Sequence, residues 1–172
     1  MDATGLELIA QRVRESVAPE AVTETAFFRN QATLEVAPGS VHDVLAYLRD
    51  SDEEPWPQLM SLHGCDYLPA EPRLGVHYQL LSMERVDRLD VKTRVGVDDP
   101  RLRSVVDLYP TADFHEREVY DMFGVVFEGH PDLRRILMPE DYEGFPQRRD
   151  FPIGGEPVIF TFNEHKLPRW YD

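Results

Sequence analysis

The spacing of apolar positions changes character along the chain. Leu6, Ile9, Ala10, Val13 and Val17 recur at helical intervals and Pro19 ends the run, which predicts an amphipathic helix. Thr4 and Glu7 stand where a capping box would satisfy the first amides. "TETAFFR" and "ATLEVA" flank Asn30-Gln31 and predict a hairpin. Ser40 is placed to cap a second helix with Val41, Val44, Leu45 and Leu48 on one face. Beyond the acidic loop "SDEEPWP", three strands are predicted: "QLMSLHGCDYL", "LGVHYQLLSM" and "RLDVKTRVGV". The last alternates, with Leu89, Val91, Thr93 and Val95 on one face and Asp90, Lys92 and Arg94 on the other. The order α-β-β-α-β-β-β predicts an α+β fold, a two-layer sandwich of one mostly antiparallel sheet with helices on one face.

The pattern shifts after residue 99. Leu102, Val105, Val106 and Tyr109 suggest a short helix. Thr111 is placed to cap another, from Ala112 to Met122 or Phe123, with Gly124 as its left-handed stop. At about 100° per residue, Ala112, His115, Val119, Met122 and Phe123 share one face, and Asp113, Arg117 and Asp121 another. From 125 onward the periodicity disappears. Pro131, Pro139, Pro146, Pro152, Pro157 and Pro168 are interleaved with aromatics from Phe127 to Tyr171. Such a segment lacks a core of its own, and aromatics with Arg dominate binding hot spots. The division expected is therefore an α+β domain over 1–123 and an extended C-terminal tail over 124–172, ordered by a partner's surface.

Composition narrows the function. Among 172 residues there are 32 acids against 18 Lys and Arg, a net charge of −14, which argues against a nucleic-acid or anionic-lipid footprint. One cysteine, Cys65, rules out an internal disulfide and Cys-rich zinc or iron–sulfur sites. No apolar run reaches the ~20 residues needed to span a bilayer. The strand-to-helix junctions carry no Gly-rich turn, which disfavours a nucleotide loop.

Candidate chemistry concentrates in "EREVYDMFGVVFEGHPDLRRILMPEDYEG", residues 116–144. "HERE" at 115–118 lacks the second His of a zincin, since position 119 is Val. His115, Glu118 and His130 remain as a conceivable ligand or acid/base set, and this is the alternative reading: a stand-alone metal-dependent or acid/base enzyme. Glu116 and Glu118 diverge by ~200° on a helix and cannot share a substrate. Cys65 with His63 or His77 reads as an inert thiol in sheet core. The arginine pairs 134–135 and 148–149 have acids nearby and are expected to form ion pairs. An interface is the physical reading that remains, with His130, Pro131, Leu133, Arg134, Arg135, Met138, Tyr142, Phe145, Arg148, Arg149 and Phe151 as its contact residues. Arg134 and Arg135, set among apolar residues, are expected to meet carboxylates or carbonyls on assembly.

The run from Glu116 to Pro152 also carries a resemblance. It is similar nearly throughout to the signature of the C subunit (the 30 kDa-type subunit) of NADH–quinone oxidoreductase, respiratory complex I. That family includes the J subunit of photosynthetic relatives. Phe114, Phe145 and Gln147 depart from the signature at packing positions. The resemblance implies a structural member of a proton-translocating oxidoreductase, peripheral on the cytoplasmic side of the cell membrane and touching it only through the complex. It implies no catalytic, cofactor-binding or metal residues in this chain, with FMN, iron–sulfur clusters and quinone held by other subunits. It implies two kinds of partner: the large D subunit, which helps form the quinone cavity, and other peripheral-arm subunits.

Overall fold

The computed structural model of the chain describes residues 2–51 and 55–152. The acidic loop positions 52–54 and the tail aromatics Phe160, Phe162, Trp170 and Tyr171 lie outside the described residues.

Helix α1 (Ala3–Ser16) is followed by the hairpin β1 (Val22–Phe28) and β2 (Gln31–Val36), then α2 (Val41–Asp50). The meander β3 (Gln58–Asp66), β4 (Leu74–Ser82) and β5 (Asp87–Val95) comes next, then β6 (Arg101–Arg103), α3 (Ala112–Phe123) and β7 (Val126–Glu128). The main sheet runs β1-β2-β5-β4-β3. Every pairing in it is antiparallel except β2 with β5, where Leu34 stands opposite Val91. This is the α+β sandwich expected from the pattern.

Period-two alternation divides the sheet into a dry face and a wet one. Leu34, Leu74, Val76, Tyr78, Leu80 and Val91 are each 0 % exposed and point toward the helices. They meet Leu6, Ala10 and Val13 of α1, Val44, Leu45 and Leu48 of α2, and Ala112 and Val119 of α3 in one core. Burying each such Leu or Val contributes roughly 1.5–3 kcal/mol. On the opposite face Lys92 pairs with Glu35 at 2.7 Å and His77 with Asp90 at 2.8 Å.

Local signals were met in part. Asp2, not Thr4, caps α1 by accepting from the Gly5 amide at 2.8 Å. Glu7 is directed instead to the Thr25 hydroxyl of β1. Ser40 makes no side-chain cap, because the 3-10 turn Pro38–Ser40 already carries the backbone into α2. Thr111 likewise makes none at α3, whereas Gly124 ends that helix at φ +76° as expected. The short helix expected around Leu102–Tyr109 is absent: Leu102 lies in β6, paired in parallel with Phe127 of β7, and Leu108 and Tyr109 both bond back to the Val105 carbonyl as a turn. Residues 124–128, expected to open the tail, thus supply a strand to the domain.

Gly64 lets α3 approach the sheet. A Cβ there would lie 2.4 Å from the Phe123 ring. Gly64→Val is expected to cost about 1–3 kcal/mol through overpacking, read as a lower urea midpoint, and Phe123→Leu in the same chain should recover part of the loss.

Candidate interface segment

Residues 129–152 contain no helix or strand, so their backbone groups must find other partners. Two carboxylates supply them. Asp121 sits on the face of α3 turned away from the sheet, yet it is 0 % exposed because the segment folds over it. One of its oxygens accepts from three successive amides, Ile136 at 3.0 Å, Leu137 at 2.7 Å and Met138 at 2.8 Å. The other accepts from the Arg135 guanidinium at 2.6 Å. Arg135 continues to the carbonyls of Tyr142 at 2.9 Å and Gly144 at 3.0 Å, and its guanidinium lies over Phe145, 5.5 Å from the ring centroid. Burial opposes ionisation of Asp121, but the three amides and Arg135 outweigh it and hold the carboxyl below its ordinary range.

The second anchor is Asp66, at the end of β3. Arg73 grips it in bidentate fashion at 2.8 and 2.6 Å, and the amides of Leu68 and Arg149 complete it at 3.0 and 2.7 Å. Arg73 also holds Asp150 through two bonds at 2.8 and 2.6 Å. The Arg73 hydrogen bonds drive the Asp66 carboxyl far below the usual carboxylate range. Between the anchors, Arg148 donates to the Phe123 carbonyl at 2.7 Å and lies 4.5 Å from the Phe145 ring centroid. That ring covers Gly124, where a Cβ would lie 2.6 Å from it.

The expected contact residues therefore do two different things. His130 is spent internally: Nε2 donates to the Asp113 carbonyl at 3.1 Å and Nδ1 accepts from the Asp132 amide at 3.0 Å. Leu133 and Met138 pack on the core, Tyr142 stacks on Phe151 at 6.2 Å, and Arg149 donates to the Leu68 carbonyl at 2.5 Å. Pro131 and Arg134 are exposed, Arg134 beside Asp132 at 2.9 Å. Within 129–152 the amides of Ile136, Leu137, Met138 and Arg149 find carboxylates of the domain itself. Arg135 meets its carboxylate and carbonyls within the chain.

Two buried acids escaped the sequence pattern. Asp121 is one. Glu116 is the other: at 0 % exposed it replaces His115 on the core face of α3. It accepts from the Ser104 hydroxyl at 2.7 Å and the Val105 amide at 2.8 Å, so it fixes the turn between β6 and α3. Its place between Ala112, Val119 and Phe123 at helical spacing was the available signal. Burial pushes the Glu116 carboxyl up, to about 7, against those two donors and with help from Asp107 and Asp113.

The alternative enzyme set does not assemble. Both ring nitrogens of His130 are occupied, and among the described residues no three His, Cys, Asp or Glu side chains are grouped to hold a metal ion. Cys65 is not in the core but half-buried on the wet face, opposite Gly75. There His63 and His77 stack at 5.0 Å, and His77 bonds Asp90 and the Tyr67 hydroxyl, each at 2.8 Å. Burial disfavours charge on His77, but Asp90 and Cys65 carry it up to about 9.

The profile of the family described as respiratory-chain NADH dehydrogenase, 30 Kd subunit, matches residues 34–157. The chain belongs to this family. The C subunit of NADH-quinone oxidoreductase from Roseiflexus sp. (strain RS-1) is 43% identical over 159 residues, covering 92% of this chain and 91% of the relative. The solved trypsin-resistant fragment (1-134) of Nqo5 superposes with a TM-score of 0.60 at 32% identity, over 73% of this chain and 99% of the fragment. A chain of the membrane-bound sulfane sulfur reductase, an archaeal respiratory membrane complex, superposes with a TM-score of 0.71 at 27% identity, over 98% of this chain and 95% of that one. Membership of the 30 kDa family makes the chain a subunit of the complex I type. Among the described residues no helix is long and apolar enough to cross a membrane.

Asp121→Asn removes the charge that Arg135 needs, and about 3 kcal/mol of stability should be lost, read by denaturant unfolding, with the 134–144 amides exchanging faster. Glu116 has the opposite sign. Its raised carboxyl holds a proton that the unfolded chain releases, so its contribution falls as pH rises from about 4.5 to about 7. Glu116→Gln should abolish that slope and gain on the order of 2 kcal/mol relative to the parent at pH 8, while differing little at pH 5, in pH-dependent melts.

Proposed function

We propose that the chain is a structural core subunit of the peripheral arm of a proton-pumping NADH–quinone oxidoreductase, with no catalytic residue and no cofactor of its own. It assembles with the large quinone-site (D) subunit and neighbouring arm subunits through the 124–172 segment. It lies on the cytoplasmic side of the cell membrane and meets the membrane only through the complex. Electron transfer proceeds through FMN, iron–sulfur clusters and quinone in the other subunits.

What supports this reading, beyond the family, is where the polar groups of the second half are used. Asp121, Asp66, Glu116 and His130 each spend their hydrogen bonds on backbone, arginine or, for Glu116, also the Ser104 hydroxyl of the same chain. Groups so committed hold a shape rather than act as acid, base or ligand. The shape they hold is an irregular ribbon that presents Pro131, Arg134, Ile136 and Leu137 outward. Ordering such a ribbon before assembly lowers the entropic cost of binding.

The chain, affinity-tagged in its native host, should co-purify with a quinone-reducing iron–sulfur complex that contains the quinone-site subunit. The chain purified alone should show no stoichiometric metal and no visible absorbance band. A bound metal or chromophore on the single chain, or purification without the complex, would overturn the proposal.

A further inference from the structure

The wet face of the sheet carries a row of ionisable side chains. Glu35 of β2 stands opposite Lys92 of β5, Lys92 opposite His77 of β4, and His77 opposite His63 of β3. The row ends at the margin of the sheet, because β3 is an outermost strand held by its pairing with β4. There the two imidazoles lie face to face, with centroids 5.0 Å apart and planes 4° from parallel. The His77 side chain is 13 % exposed and His63 is half-buried.

The surroundings give the two rings different states. Nδ1 of His77 donates to Asp90 at 2.8 Å, and Nε2 meets the Tyr67 hydroxyl at 2.8 Å. An imidazolium, which donates twice, satisfies both contacts. Burial opposes that charge, but Asp90 and Cys65 carry His77 up to about 9. For His63, Nδ1 lies 3.1 Å from the Ser61 hydroxyl, which donates to it while that nitrogen is bare. Burial, and after it the charge on His77, hold His63 below its ordinary value of 6.5. His115 of α3 acts in the same direction, whereas Asp90 and Glu118 oppose it. Lys92 is spent on Glu35 at 2.7 Å, and Lys92 and Arg94 lie 5.1 and 4.8 Å from the Tyr67 ring centroid. This neighbourhood suits one proton on the pair. A neutral ring is attracted to a cation over its face, whereas two stacked imidazoliums repel.

We propose that the His63–His77 stack is a one-proton latch on the edge strand: singly protonated it holds β3 against β4, and a second proton parts the rings and loosens the strand. The effect reaches beyond β3, because that strand ends at Asp66, which accepts from the Leu68 and Arg149 amides and from Arg73. Asp66 stays ionised far below this range, so its tie to the ribbon slackens through the strand that carries it and not by its own titration. The His63 contribution is present above about 6.5 and is lost as pH falls below it. The His77 contribution is present below 6.5 and is lost as pH rises through about 9. Glu116 has the opposite slope to His63, since its contribution grows as pH falls from about 7 toward 4.5. An acid loss in that range therefore belongs to the latch.

The test is amide hydrogen exchange on the full-length chain at about pH 7 and about pH 5, on either side of the ordinary imidazole range, corrected for intrinsic rates. The β3 amides bonded to β4, together with the Arg149 amide, should open several-fold more often at the lower pH, while those joining β5 to β2 stay protected. Imidazole NMR should find His77 charged and His63 neutral at the higher pH, with His63 taking its proton as β3 opens. His63→Phe keeps a ring on His77 but binds no proton, so it should retain at the lower pH the protection that the parent loses. His77→Gln removes the resident proton, and with it the acid opening of β3. Equal acid opening in the parent and in His63→Phe overturns the latch. So does opening spread evenly over all strands, or a His63 titration that leaves β3 exchange unchanged.

Discussion

The second half of this protein depends on a carboxylate placed where a helix would ordinarily present it to water. Asp121 gathers three consecutive amides and a guanidinium, so a stretch with no ladder of its own acquires one defined backbone course. Without that charge the amides of 136–138 would need solvent, and the Arg135 bonds to Tyr142 and Gly144 would lose their fixed origin. Asp66 repeats the device from the sheet end, through Arg73 to Asp150 and through the Arg149 amide. One ribbon is thus tied at two points to two different layers of the domain. Both acids ionise more readily in the fold than in the unfolded chain, so both ties hold above the ordinary carboxylate range and weaken as acid is added.

Glu116 runs against that logic. It shares α3 with Asp121, five residues away, yet burial raises it where donors lower the other. Asp121 meets four donors, one of them cationic, whereas Glu116 meets two neutral donors and two acidic neighbours. Near neutral pH the same helix therefore carries one carboxyl fixed as an anion and one close to half-protonated.

Much of the architecture is legible from periodicity alone. The spacing of Leu6, Ile9 and Val13 and the alternation from Leu89 to Val95 report burial on one face, and burial on one face is what those elements have. The pattern misleads wherever hydropathy alone places a polar residue. Asp121 falls on a solvent face by spacing, because nothing in a single helix reveals that a later segment will cover it. Glu116 stands at core spacing with Ala112, Val119 and Phe123, but hydropathy assigns the place to His115, since a buried acid becomes tolerable only through Ser104 and Val105, which lie outside the helix. The Leu102–Tyr109 stretch looks helical by spacing, but Leu102 is buried by a strand partner 25 positions later, Phe127. The first arginine pair does meet acids, Arg134 with Asp132 and Arg135 with Asp121, whereas the Arg148 and Arg149 guanidinium groups bond the Phe123 and Leu68 carbonyls instead. That Arg135 finds its acid within the chain is beyond what spacing can show.

The parallel seam between β2 and β5 sets the order in which the domain can form. The hairpin β1–β2 and the meander β3–β4–β5 each join neighbours in sequence and close quickly. Their union pairs Thr33 with Asp90, Leu34 with Val91 and Glu35 with Lys92, each pair 57 positions apart, and so bears most of the loop-closure entropy. Until it forms, the hydrophobic flank of β2 has no neighbour on one side, and α1 has only half a sheet to cover. A newly made chain is therefore most exposed to misassembly before its ninety-fifth residue is free to pair, and joining the two halves of the sheet is the slow step through which this protein must pass.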